Sequence, residues 1–287
     1  MWYDCFLSSE IVSWTDLYLT GEREPVNSFS LLVGIGAGIG LWRVAHGEQV
    51  RLASERQAAF LINSGLIVLF CGLVGARLAY VGINGAYFSP HLLEAPQVWL
   101  GGLSWPGAFA GAALGLMAIT IPARTPRGDA IPIGWFGDRL YPMLPPLAVA
   151  IWLGSWQTGH AYGPLLPDGT WWGIPSLDET GTLALRWPLQ PLAAISLLAF
   201  FGLLETLIPA RRPVGLLSGL AVSGLLLHLL AFSFLSAEPS PTWQGLRLET
   251  WAAIFFLALI VIAWLMGMLF PREWQDRVFS RFESSHQ

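Results

Sequence analysis

Cutting this 287-residue chain at its charges and prolines leaves seven apolar stretches, near 28–44, 58–83, 101–121, 131–156, 189–208, 214–235 and 251–270. A helix needs ~20 apolar residues to cross the hydrocarbon layer of a bilayer. Lipid offers no partner to a free N–H or C=O, so each stretch is expected to close its own backbone bonds as a helix. The pattern predicts an all-α integral membrane protein with about seven transmembrane helices, the fourth the least regular. Composition agrees: 54% of the residues are hydrophobic and 12% charged, far from an ordinary soluble domain.

The basic residues set the orientation. There is no lysine, so all fifteen are arginine. Arg43, Arg51 and Arg56 follow the first span, Arg124 and Arg127 the third, Arg211 and Arg212 the fifth, and Arg272, Arg277 and Arg281 the seventh. The opposite loops hold Arg23, Arg186 and Arg247. The bias predicts an outer N-terminus and a cytoplasmic C-terminus. It divides the chain into an extracytoplasmic segment 1–27, a membrane domain 28–270 with an outer cap at 157–188, and a cytoplasmic tail 271–287.

Segment 1–27 carries five carboxylates and no basic n-region, unlike a signal peptide. Trp2, Phe6, Ile11, Trp14 and Leu17 suit an amphipathic helix lying on the membrane. Cys5 and Cys71 give no disulfide framework, because Cys71 sits inside the second stretch, and Cys5 lacks the apolar run that precedes a lipidated cysteine. Trp99, Trp172 and Trp251 fall near span ends, where indoles anchor at the interface.

The stretch 101–111, GGLSWPGAFAG, has four glycines in eleven residues. Such density lets a second helix or a ligand come close to the backbone. A helix-packing seam and a ligand mouth both fit, and Ser104-Trp105-Pro106 marks backbone leaving helical form. Arg77 lies about a turn and a half from the end of the second stretch. A charge there snorkels, pairs or lines a polar cavity, and Tyr80, three residues on, shares its face. The run Gly154-Ser155-Trp156-Gln157-Thr158-Gly159-His160-Ala161-Tyr162-Gly163 departs from helix pattern at the outer surface. His160 has no cysteine or second histidine at ligand spacing, so no metal is expected.

Several segments, in order, resemble one family, the bacterial prolipoprotein diacylglyceryl transferases. Residues 75–81 look like its GARxGYV, 98–111 like VWxGGMSFHGGLxG, and 150–163 like the signature GRxGNFxNxExxG. Trp172-Gly173-Ile174-Pro175 is similar to WGIxFP, 186–190 to RHPxQLYE and 245–251 to GLSMGQW. The family moves diacylglyceryl from phosphatidylglycerol to a lipobox cysteine thiol, releasing glycerol phosphate. That chemistry asks for a cationic clamp on the phosphate and help in making a thiolate. The resemblance implies lipid or phosphate contacts from Arg77, Tyr80, Gly101, Gly102, Ser104, Gly107, Ser155, Gly163, Arg186 and Gln190. It implies phosphatidylglycerol and a prolipoprotein signal peptide, or a membrane-complex subunit, as partners, no cofactor, no nucleic acid, and a bacterial plasma-membrane location.

The departures from the pattern fall on its polar residues. The motif histidine falls on Pro106, the signature arginine on Trp152, its asparagines on Ser155 and Thr158, and its glutamate on His160. The early tyrosine falls on Phe29, the tyrosine and glutamate of QLYE on Leu192 and Ala193, and the arginine of span six on Leu229, beside His228. The expectation is a weak or catalytically silent relative that keeps an anionic-lipid cavity. The alternative is an active divergent transferase with His160 or His228 as base. A transporter finds little support, since no repeat is visible and Arg77, Asp138 and Glu205 are too few charges for an ion path.

Overall fold

A computed structural model describes residues 28–47, 55–98, 101–123, 131–209 and 212–269. The expectations for 1–27, 271–287, Trp99 and the arginines at 51, 124, 127 and 211 lie outside these residues, as does the side chain of Arg56. The fold is an all-α, multi-pass membrane bundle. Its main helices are α1 (Ser28–His46), α2 (Glu55–Ile83), α3 (Gly85–Phe88), α4 (Trp105–Thr120), α5 (Ile133–Leu140), α6 (Leu144–Gln157), α7 (Leu189–Leu207), α8 (Leu216–Leu235) and α9 (Leu248–Leu269). Five of them, α1, α2, α7, α8 and α9, are long and apolar enough to cross a bilayer.

The third and fourth stretches are not single uninterrupted helices. Helix α4 starts at Trp105, with the extended Ser104 as its N-cap and a proline in its first turn. Residues 101–104, expected within the span, are a loop. The fourth stretch is broken: α5 passes through a 3₁₀ turn (Tyr141–Met143) into α6. Pro142, Pro145 and Pro146 remove three amide donors there, so one continuous ladder of helix bonds cannot form.

Helices α2 and α4 run antiparallel along a seam of small residues. A Cβ added at Gly107 would meet the Gly75 carbonyl oxygen at 2.3 Å, and one at Gly111 would meet that of Cys71 at 2.1 Å. The glycines therefore do what the packing reading of 101–111 expected, letting two backbones touch. Helix α1 lies antiparallel to α6 in the same manner, with Gly36 against Ala150 and Gly40 against Met143.

The larger core cluster joins α6, α7 and α8 through Ala148, Trp152, Ala193, Leu197, Phe201, Ala221 and Leu225. A second gathers Val44, Leu61, Leu140 and Met143 at one end of the bundle, beside Leu116 and Ile119 of α4. Asp138 fixes the start of α8: its carboxylate accepts the Gly215 and Ser218 N–H groups at 2.9 and 2.8 Å and the Ser218 hydroxyl at 2.8 Å. Between α6 and α7 the strands β1 (Ile174–Leu177) and β2 (Leu183–Arg186) form an antiparallel hairpin with Ile174 opposite Arg186. A second, two-residue pair, β3 (Thr242–Trp243) and β4 (Leu246–Arg247), precedes α9.

Candidate functional site

Polar side chains gather at the end of the bundle opposite the Val44–Met143 cluster, where α2 and α6 finish and α4, α7 and α9 begin. They form two knots. The first is built on Arg77, which is buried and aimed back at the loop after α3. Its Nε donates to the Ala95 carbonyl at 2.7 Å, Nη2 to Glu94 O at 2.7 Å, and Nη1 to the carbonyls of Gly101 and Gly102. Gly101 and Gly102 take φ of +84° and +72°, a region open to glycine at little cost; that turn brings two successive carbonyls onto one nitrogen. The Tyr80 ring presses on Gly102, where an added Cβ would sit 2.3 Å from Cε1. The guanidinium carbon lies 5.8 Å from the Tyr80 ring centre and 5.3 Å from that of Phe88. Ser104 completes the knot with a backbone N–H to the Ala76 carbonyl at 3.1 Å.

Arg77 therefore neither snorkels nor points into solvent. Four of its five N–H groups are held by carbonyls, so its main work is to tie Glu94, Ala95, Gly101 and Gly102 to α2.

The second knot lies under the cap. Arg186 is buried at the end of β2, pairs with Asp178 at 2.9 Å and stacks on Tyr162, 4.3 Å from its ring centre. Its Nε has no protein partner among the described residues. The Thr180 hydroxyl and the Thr180 and Thr182 amides close on Asp178 and, with Arg186, hold its carboxyl below the usual range. Burial, and then the bond to Glu179, pushes the Tyr162 phenol up to about 12. Gln190, fully buried, donates to the His160 carbonyl at 3.0 Å, while its Oε1 has no partner among the described residues. Gly163 packs on Trp187, leaving no room for a side chain.

His160 is 57% exposed and bonds through Nδ1 to Glu238 at 2.9 Å. The second Glu238 oxygen accepts the Ala161 N–H at 2.8 Å. The hydrogen bond with Glu238 raises His160, outweighing its burial. Burial alone would raise the Glu238 carboxyl, but the bonds from His160 and Ala161 overcome it and leave it lowered. Arg247 holds the same strap by donating to Ser236 O at 2.9 Å and to the Glu238 carbonyl.

Tyr162, Asp178, Glu179, Glu238 and Arg247 are the polar residues that the sequence reading did not single out. Arg247 stood within the 245–251 segment, a usable signal; Glu238 meets a partner 78 positions away and carries none. The two knots share no member.

Most positions that depart from the motif pack in the core or bond to their own helix, while Leu192 is exposed. Trp152 is buried against His228 and Phe232, its ring 5.8 Å and 5.5 Å from theirs. Phe29 packs on Gly154, Ala193 lies wholly in the core and Leu229 lines it. Ser155 and Thr158 bond to carbonyls of their own helix at 2.9 and 3.0 Å. Pro106 occupies the first turn of α4. His228 bonds Ser196 at 2.9 Å through Nε2, and its Nδ1 is buried without a partner. Among the described residues no cluster of three or more His, Cys, Asp or Glu could hold a metal.

Fold and site together define a helical multi-pass membrane protein with two knots of polar side chains at one end of its bundle. The chain belongs to the prolipoprotein diacylglyceryl transferase family, whose profile matches residues 19–276. It is similar to the phosphatidylglycerol–prolipoprotein diacylglyceryl transferase of Nitrosospira multiformis, 29% identical over 208 residues, 68% of this chain and 66% of that one. The enzyme of that name from Paramagnetospirillum magneticum is 27% identical over 212 residues, 68% and 72% of the two chains. The one from Geobacillus kaustophilus is 36% identical over 84 residues, 29% of this chain and 30% of that relative. The chain thus spans about a third of the Geobacillus protein's length and about two thirds of the other two.

Proposed function

We propose that this chain is a catalytically silent or very slow member of its family that holds an anionic phospholipid, phosphatidylglycerol foremost, at its polar mouth. It sits in a bacterial plasma membrane as seven spans, with segment 1–27 and the 157–188 cap outside and the 271–287 tail inside. One observation carries the reading. Where the family motif has its histidine, arginines and glutamate, this chain has a proline in the first turn of α4, the core-packed Trp152 and Leu229, and His160 turned to Glu238. Thioether formation needs a thiolate and a stabilised phosphate leaving group, and Pro106, Trp152 and Leu229 supply neither a base nor a donor. Losing one oxyanion donor typically costs ~3 kcal/mol of transition-state stabilisation, so losing several leaves little rate. Binding a phosphate asks less. The spare Nη2 hydrogen of Arg77 and the unpaired Nε of Arg186 are the donors at hand.

A second reading is favoured by the His160–Glu238 pair. A carboxylate on Nδ1 fixes the ring and leaves Nε2 free at an exposed position, the arrangement of an oriented general base. A working divergent transferase acting on a prolipoprotein signal peptide would use it. One assay separates the two. Purified protein is given a lipobox peptide and radiolabelled phosphatidylglycerol, alongside complementation of a strain depleted of its transferase. The silent reading expects background transfer and lipid retained in native mass spectra, weakened by Arg186→Ala. Robust transfer abolished by His160→Ala or His228→Ala would overturn it.

A further inference from the structure

We propose that the 157–188 cap is docked into the interfacial layer of the leaflet on its own side, through a face made of Leu165, Trp171, Trp172, Leu183 and Trp187. All five side chains are exposed, Trp171 by 84% and Leu165 by 65%. A cap standing in water would be expected to place such residues inward and its polar groups outward. This one exposes those five and covers several polar groups, while Asp168, Glu179, Thr180 and Thr182 remain exposed. Ser176 and Arg186 are buried, and Asp178 is spent on Arg186 and on the Thr180–Thr182 turn. In the hairpin, Leu177 stands opposite Leu183 and Pro175 opposite Leu185, while the polar Ser176 and Arg186 fall on the alternate, covered positions.

The lipid bilayer is the occupant because the face continues one the protein already gives to lipid. Trp172 and Trp187 stack edge to face, 5.0 Å between ring centres. Trp187 stands just ahead of α7, whose exposed Leu192, Ile195 and Leu198 belong to a membrane-crossing helix. The apolar surface therefore passes from the helix through Trp187 to Trp172 and on to Trp171. Indoles suit that depth, with an apolar ring for acyl chains and an N–H for headgroups and water. Asp168, in the turn that follows Pro167, is exposed and sets the boundary: a carboxylate there stays on the water side.

The test uses the full chain, reconstituted in phosphatidylcholine vesicles with and without phosphatidylglycerol. Spin labels are placed singly at Trp171→Cys, Leu183→Cys and Asp168→Cys, in a background carrying Cys5→Ser and Cys71→Ala. Collisions with oxygen, which partitions into hydrocarbon, are compared with collisions with a nickel chelate present on both sides in water. Labels at 171 and 183 should favour oxygen over chelate, and the label at 168 the reverse, in both lipid mixtures. Labels at 171 and 183 as open to the chelate as the one at 168 would overturn the docking. Shielding of both from oxygen and chelate alike would mark a protein cover and overturn the lipid assignment. A label-free measurement guards against misfolded variants: lipids brominated near the headgroup should quench wild-type emission more than that of Trp171→Phe. Equal quenching in the two proteins would also sink the proposal.

Discussion

Gly111→Ala should loosen the protein more than its single methyl suggests. The added Cβ would stand 2.1 Å from the Cys71 carbonyl oxygen and 3.1 Å from the Gly75 Cα. Ordinary contact lies near ~3.5 Å, so α2 and α4 must part by at least ~1 Å. Both neighbours are backbone, and no side chain can rotate away to make room. A radial gap of that size forfeits about a quarter to a half of the dispersion well along the contact, and overpacking of this kind destabilises by ~1–3 kcal/mol. We expect about 2 kcal/mol. Cys71 lies in the seam and reports on it. In a Cys5→Ser background, a thiol-reactive fluorophore followed during heating reads its exposure. Gly111→Ala should expose Cys71 at a clearly lower temperature than wild type. Gly72→Ala is the control, because its Cβ meets nothing nearer than 3.4 Å. If the two substitutions shift the transition equally, steric closure of the seam is not what holds these helices.

Removing Arg77 as Arg77→Ala leaves four carbonyls without their donor and should cost ~3 kcal/mol or more, read as faster proteolysis in the 94–102 loop. Arg77→Lys should recover part of this, since an ammonium carries three donors rather than a planar fork. The His160–Glu238 pair should show a pH window. His160 is raised, so its contribution is complete below its ordinary value near ~6.5 and fades as pH climbs through the raised value. Glu238 is lowered, so its part is lost as pH falls through that lowered value. The gap in melting temperature between wild type and His160→Gln should be widest near pH ~6 and close in alkali, and small throughout (under ~1 kcal/mol), because the ring is largely exposed. Asp138→Ala should destabilise by ~1–2 kcal/mol through loss of the α8 cap, measured by the same heating assay.

Much of this fold could be read from spacing alone. The long apolar stretches mark α1, α2, α7, α8 and α9, and the glycine density of 101–111 marks the seam, because lipid and close helix contact each leave a compositional trace. Where α4 begins was less legible. Gly101–Ser104 is apolar enough for a span, but the positive φ of both glycines, the proline in the first turn of α4 and the bonds from Arg77 to two of its carbonyls make it a loop. The charges were hardest to place. Asp138 and Glu205 looked like isolated intramembrane groups, yet one caps α8 and the other pairs with Arg43 at 2.6 Å. Those partners lie 77 and 162 positions away, and no local pattern encodes a contact at that range. The cap knot was half visible: the flanking motifs gave Arg186, Gln190 and His160, while Glu238 belongs to no recognisable segment.

The packing around Trp152 bears on how such a chain could change over generations. The indole fills space between α6 and α8 among Ala193, Leu197, Leu225 and Phe232. An arginine arriving there alone would be set among those apolar side chains, where a buried charge is costly unless it is paired. Leu229→Arg would face the same apolar wall, and Pro106→His would place an imidazole just after the turn whose carbonyls hold Arg77. On the silent reading, a single substitution toward the motif at Trp152 or Leu229 would cost stability before it restored any chemistry. The filled interior would then close that route to changes made one at a time.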